Sequence, residues 1–142
     1  MIRRAFYYDA EAINRIGREL HDNFDYLYNM EETLNTTYSR VYVYEDNKEI
    51  VGFIHVDSHF EIMDLVNIII KRDYQNKGIG TELLQYVIDN EEYDKIMLEV
   101  RESNSRAIHV YEKLGFKEIY RREKYYQTED AIIMERMRDN AK

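Results

Sequence analysis

The 142-residue sequence contains no cysteine, no proline and no tryptophan, and only five glycines. Without cysteine there are no disulfides, no thiolate zinc sites, no thiol redox chemistry and no cysteine nucleophile, and a reducing compartment is permitted. The absence of proline and the scarcity of glycine leave no segment that reads as a linker, and there is no internal repeat. No stretch approaches the roughly 18 consecutive apolar residues of a membrane span. Arg3 and Arg4 are not followed by the apolar core of about 7 to 15 residues that a secretory signal requires. The expectation is a protein of the cytoplasm with no membrane partner.

What is present is 44% hydrophobic residues, among them 14 tyrosines, and a net charge of −8 from 20 basic and 28 acidic side chains. A mean hydropathy of −0.68 alone is compatible with disorder, but the apolar share is that of a packed chain. Domains run to about 100–200 residues, so residues 1–142 are expected to form one. At this size folding buries roughly 68–70% of the unfolded surface, enough for a core without covalent staples. An isoelectric point near 5.1 disfavours a nucleic-acid partner and suits a cationic one.

Residues 2–8 are rich in strand formers, and Asp9 is expected to cap a helix carrying Ala12, Ile13, Ile16 and Leu20 on one face. A shorter helix is expected between Asp25 and Leu34. Residues 41–44 and 50–56 read as strands joined at Asp46-Asn47-Lys48, and residues 61–70 as a third, antiparallel neighbour. Ile79, Leu83, Leu84, Val87 and Ile88 then share one helical face. Residues 95–100 form a strand and residues 104–114 a helix through Ala107, Ile108, Tyr111 and Leu114, with Gly115 as its left-handed cap. Residues 117–125 and 130–137 close the chain as strands. The order β-α-α-β-β-β-α-β-α-β-β implies an α/β (α+β) fold, a mixed central sheet of about seven strands flanked by about four helices.

The densest chemical signal is Gln75-Asn76-Lys77-Gly78-Ile79-Gly80-Thr81, between a strand and a helix. Glycines there let the backbone turn sharply and bring N–H groups to a ligand, and a helix N-terminus adds partial positive charge, which suits a pyrophosphate. A dinucleotide fingerprint needs a third glycine where Leu83 stands, although Glu99 lies about 20 residues on. A P-loop needs its lysine after the glycine, whereas Lys77 precedes Gly78.

The segment resembles the coenzyme A loop of the GNAT N-acetyltransferase superfamily, Q/R-x-x-G-x-G/A, matched by Gln75-Asn76-Lys77-Gly78-Ile79-Gly80. The resemblance extends to Asn67-Ile68-Ile69-Ile70, to Leu98-Glu99-Val100-Arg101-Glu102-Ser103-Asn104, and to Tyr111-Glu112-Lys113-Leu114-Gly115-Phe116. It closes with Arg122-Glu123-Lys124-Tyr125-Tyr126 and Glu129-Asp130-Ala131-Ile132-Ile133-Met134. The set, over about residues 64–134, is most similar to the RimI-type ribosomal protein alanine N-acetyltransferases. Departures lie at Asp73, where the family often has proline, and on the acceptor side, where a Phe-Pro-Trp type segment is absent.

This resemblance implies a single GNAT-type domain that uses acetyl-CoA and no metal, with residues 75–81, the main chain of Ile68, Ile69 and Ile70, and Asn104 holding the coenzyme. Glu99 matches the family's base position, and Tyr111, seven residues after Asn104, matches the tyrosine that protonates the departing sulfur. The chemistry agrees: an α-amine with a pKa near 8 is mostly protonated at pH 7, so a carboxylate assists in removing its proton. Asn104 also suits a helix start as a plain cap. His21, His55, His59 and His109 show no metal-ligand spacing. Between Glu19 and Ser39 there are five carboxylates and no lysine or arginine, which by family analogy borders the acceptor and suits a cationic amine. The expected activity is acetyl transfer by direct attack of a primary amine, a protein N-terminal α-amine such as that of a ribosomal protein. A small amine such as a polyamine or aminoglycoside is the alternative acceptor, and a non-catalytic acyl-CoA-binding module the alternative class. Monomer and homodimer are both compatible with the sequence.

Overall fold

The computed structural model describes residues 1–139. Seven strands form one mixed sheet, β1 (Ile2–Arg4), β2 (Ser39–Asp46), β3 (Glu49–His59), β4 (Ile62–Ile70), β5 (Lys95–Arg101), β6 (Lys117–Arg122) and β7 (Ala131–Met137). Their order across it is β1-β2-β3-β4-β5-β7-β6. The helices are α1 (Ala10–Leu20), α2 (Phe24–Leu27), α3 (Met30–Leu34), α4 (Ile79–Asn90) and α5 (Ser105–Lys113). This is the mixed α+β architecture the sequence implies. Among the described residues no helix is long and apolar enough to cross a membrane. The chain packs as two compact units, the first Met1–Asp57 with Val66–Glu91, the second Ser58–Leu65 with the chain from Glu92 onward.

In the first unit, Ile13, Ile16, Phe24, Met30, Val41, Val43, Phe53 and Ile69 form a buried core. β2 and β3 pair antiparallel, with Asp46 opposite Glu49. The two residues between them, Asn47 and Lys48, have φ of 51° and 67°, the paired left-handed geometry whose twist matches a two-residue hairpin. α4 buries Ile79, Leu83, Leu84, Val87 and Ile88, the face expected from their spacing. Its end is tied to β2 by a hydrogen bond from the Tyr42 hydroxyl to Glu91. Burial and that carboxylate push the Tyr42 phenol up to about 12.

Several local expectations change. The strand expected over residues 2–8 ends at Arg4, and Tyr7–Asp9 form a 3₁₀ turn. Asp9 occupies the cap position of α1 but makes no cap bond to it. Its carboxylate instead accepts from the Phe6 N–H at 2.7 Å and from the Arg3 guanidinium at 2.9 and 3.1 Å. Burial alone would push the Asp9 carboxyl up, but Arg3 and the Phe6 N–H outweigh it and hold the group below its ordinary value. Asp9→Asn is therefore expected to cost about 1.5–3 kcal/mol at neutral pH, the worth of hydrogen bonds to a charged group. Because the native value is the lower one, this contribution is complete above about pH 4 and disappears as pH falls through the native value. Urea denaturation of both proteins along a pH series measures the convergence.

The short helix expected between Asp25 and Leu34 is two, because Asn29 interrupts it and caps α3 by accepting from the Glu32 N–H at 3.1 Å. Phe24, fully buried, lies edge-on to Phe53 with ring centroids 6.1 Å apart. A Cβ placed on Gly17 of α1 would stand 2.4 Å from the Phe24 ring, so only glycine lets α1 and α2 approach this closely.

In the second unit β4 and β5 run parallel through Ile62, Met63 and Asp64 opposite Lys95, Ile96 and Met97. β7 lies antiparallel to β5 along its whole length and to β6 on its other side. Met63, Ile96, Leu98, Val100, Phe116, Ile132 and Met134 are buried. This places Glu99, which alternates out of that core, on the exposed face of β5.

Candidate active site

In the first unit, β4 ends at Ile70, and a 3₁₀ turn at Arg72–Tyr74 leads into the glycine loop. Gln75 anchors the loop, its side-chain amide donating to the Ile70 carbonyl at 2.9 Å. Asn76 and Gly78 both take positive φ, 65° and 85°. Asparagine tolerates the left-handed region and glycine enters it without steric cost. Lys77 sets its ammonium 5.4 Å from the centre of the Tyr74 ring. Gly78 is the cap residue of α4 and has no side chain to give it. The first N–H groups of a helix have no intrahelical acceptor, so those of Ile79, Gly80 and Thr81 offer donors and the positive helix end to an anion. The first helical bond is made one residue later, by the Glu82 N–H to the Gly78 carbonyl at 3.0 Å. A Cβ on Gly80 would meet only Ile68 and Ile70 side-chain atoms at 3.7 and 3.9 Å, ordinary contact. The protein itself thus leaves room for a side chain at this position. Ile69 points into the core while Ile68 and Ile70 are half-buried.

α5 starts differently. Asn104 caps it, its side-chain oxygen accepting from the Ala107 N–H at 3.2 Å. This is the plain capping role the sequence already allowed.

In the second unit Glu99 accepts a hydrogen bond from the Tyr126 hydroxyl at 2.6 Å. Tyr126 lies in the β6–β7 connection, and the Arg101 guanidinium sits 3.9 Å above its ring centre. Glu129 closes the cluster, accepting from the Ser103 N–H at 2.8 Å and facing Arg101 at 3.4 Å. The Ser103 N–H, reinforced by Arg101, holds the Glu129 carboxyl below its ordinary value. Tyr111, on α5, packs its ring 5.9 Å from Phe116. Burial pushes its phenol up, so it keeps its proton across the physiological range. Tyr126 belongs to the C-terminal motif in the sequence, but its bond to Glu99 spans 27 residues and has no local signature.

Two carboxylates of the acidic segment are already engaged. Arg18 of α1 donates to both Asp25 oxygens, the shortest at 2.8 Å, and the Arg72 N–H donates to Glu19 at 3.3 Å. The free cation-binding capacity expected of five carboxylates is reduced accordingly. His55 is held by Asp57 at 2.9 Å, which also accepts from Ser39. Among the described residues no three histidine, aspartate or glutamate side chains cluster as a metal site would need.

The seven-stranded mixed sheet and the glycine loop between β4 and α4 are the features that the sequence resemblance called for. The chain matches the Acetyltransferase (GNAT) family over residues 5–116 and belongs to it. It is 48% identical over 77 residues to the ribosomal protein bS18-alanine N-acetyltransferase of Escherichia coli, covering 49% of this chain and 52% of that protein. The chain thus spans about half the length of these curated relatives. An N-alpha-acetyltransferase of Sulfurisphaera tokodaii is 35% identical across 94% of this chain and 90% of its own. The crystal structure of the Escherichia coli ribosomal-protein-S18-alanine N-acetyltransferase superposes with a TM-score of 0.85 at 28% identity, covering 100% of this chain and 96% of that one.

Proposed function

We propose that the protein transfers the acetyl group of acetyl-CoA to the α-amine of a protein N-terminus. The observation that carries this reading is the start of α4, a helix capped by left-handed Gly78 with no side-chain cap of its own, which fits a pyrophosphate. The relatives named for N-terminal and ribosomal-protein alanine acetylation favour an α-amine as acceptor.

In this reading the N–H groups of Ile79, Gly80 and Thr81 bind the coenzyme's pyrophosphate, and Gln75, Asn76 and Lys77 shape the approach. Main-chain N–H groups of Ile68, Ile69 and Ile70 stabilise the oxyanion, and Asn104 touches the coenzyme while capping α5. The amine nitrogen attacks the thioester carbonyl, its proton passes to Glu99 directly or through water, the C–S bond breaks, and the thiolate takes the proton of Tyr111. A ribosomal protein N-terminus is a suitable acceptor for a chain of net charge −8. The reaction is placed in the cytoplasm.

A mass-resolved transfer assay tests this by offering acetyl-CoA with basic peptides, one beginning with alanine, alongside polyamines and an aminoglycoside. Acetylation of the alanine peptide at its α-amine is the expected result. Acetylation of the small amines alone replaces the acceptor class, and coenzyme binding without transfer replaces the enzyme by a binding module.

A further inference from the structure

Tyr126 is a residue to which neither the family match nor the sequence assigns a task, yet it makes one of the shortest unstrained side-chain hydrogen bonds in the second unit. We infer that Tyr126 is a positioning residue, fixing the Glu99 carboxylate for proton removal and being held for that purpose by Arg101. The inference rests on the proposed role of Glu99.

Glu99 stands exposed on β5, and an exposed glutamate samples many rotamers. Tyr126 restricts it, because a phenol donating at 2.6 Å occupies one carboxylate oxygen and sets the direction of the other. Tyr126 in turn is held by its surroundings. Arg101, two residues from Glu99 and on the same side of β5, stacks on its ring at 3.9 Å. The Tyr126 N–H donates to the Glu129 carbonyl at 3.1 Å. The Glu129 side chain is bound to the Ser103 N–H and Arg101, which fastens the β6–β7 connection to the end of β5. Tyr125 lies edge-on to Tyr126 at 5.2 Å. The charged and titratable groups acting on the phenol are Glu99, Arg101 and Tyr125, and the Glu129 carboxylate faces Arg101 and the Ser103 N–H instead. Burial first, then Glu99, push its ionisation up to about 12, so it remains a donor at every pH at which the enzyme works.

Tyr126→Phe tests this cleanly, since it keeps the ring under Arg101 and removes only the hydroxyl. The expected result is a fall of about tenfold in kcat with the acceptor KM unchanged, the size of one lost hydrogen bond to a charged group. In the Glu99→Gln background the same substitution is expected to change nothing further, because a residue acting through Glu99 has nothing left to position. An equal loss in both backgrounds, or a raised acceptor KM with kcat intact, overturns the inference and makes Tyr126 a substrate contact. A second readout needs no activity. Tyrosine ring-carbon NMR, with Tyr126 assigned by its loss in Tyr126→Phe, is expected to show Tyr126 losing its proton at a lower pH in Glu99→Gln than in the wild type, because the carboxylate charge is gone while burial remains. Identical titration in the two proteins overturns the pairing. A wild-type protein without transferase activity refutes the proposed function instead, and leaves the titration to decide the pairing alone.

Discussion

Glu99→Gln is expected to lower kcat/KM for an α-amine acceptor by about 10²–10⁴ at neutral pH, the usual worth of a positioned general base. The fold should be untouched, since Glu99 lies on the exposed side of β5 and a glutamine oxygen still accepts from Tyr126. The loss is expected to shrink as pH rises past the amine's own pKa of about 8, where the acceptor arrives neutral and needs less help. Steady-state rates across that range measure the slope. A loss of constant size at every pH removes Glu99 from proton transfer and leaves it a structural charge.

Tyr111→Phe carries the second large effect, a fall of about 10²–10⁴ in kcat with acetyl-CoA affinity near normal. The phenylalanine keeps the contact with Phe116, so stability is expected to move by less than about 1.5 kcal/mol. Burial, which raises the Tyr111 phenol, weakens it as an acid. Its value as a donor therefore depends on placement against the leaving sulfur and not on driving force. Turnover by stopped-flow and coenzyme affinity by calorimetry separate the two quantities. Wild-type turnover in the variant assigns the proton to water.

Much of the fold is legible along the chain because its signals are local. The β-branched runs at residues 41–56 mark β2 and β3, Asp46-Asn47-Lys48 marks their turn, and the spacing from Ile79 to Ile88 marks the buried face of α4. Expectation fails where a distant or polar partner overrules propensity. Phe6, Tyr7 and Tyr8 favour a strand, but the Asp9 carboxylate, steadied by Arg3, curls them into a turn. Residues 123–125 extend the strand pattern, yet β6 stops at Arg122 because Asp130 accepts from the Lys124 N–H at 2.9 Å and bends the chain there. The site divides in the same way. The glycine loop is contiguous and therefore readable, Glu99 and Tyr111 become readable only through a family pattern, and the Tyr126–Glu99 bond joins residues that no local spacing relates.

The contact between Gly17 and Phe24 carries a consequence for how this sequence can drift or be redesigned. With 2.4 Å between the ring and the place of a missing methyl group, positions 17 and 24 behave as one choice: an alanine at 17 demands a smaller neighbour at 24, and an aromatic at 24 demands glycine at 17. Related sequences are expected to change the two together, and mutational libraries that randomise the segment from Asp22 to Tyr38 are expected to keep more folded members when Phe24 is kept or Gly17 is varied with it.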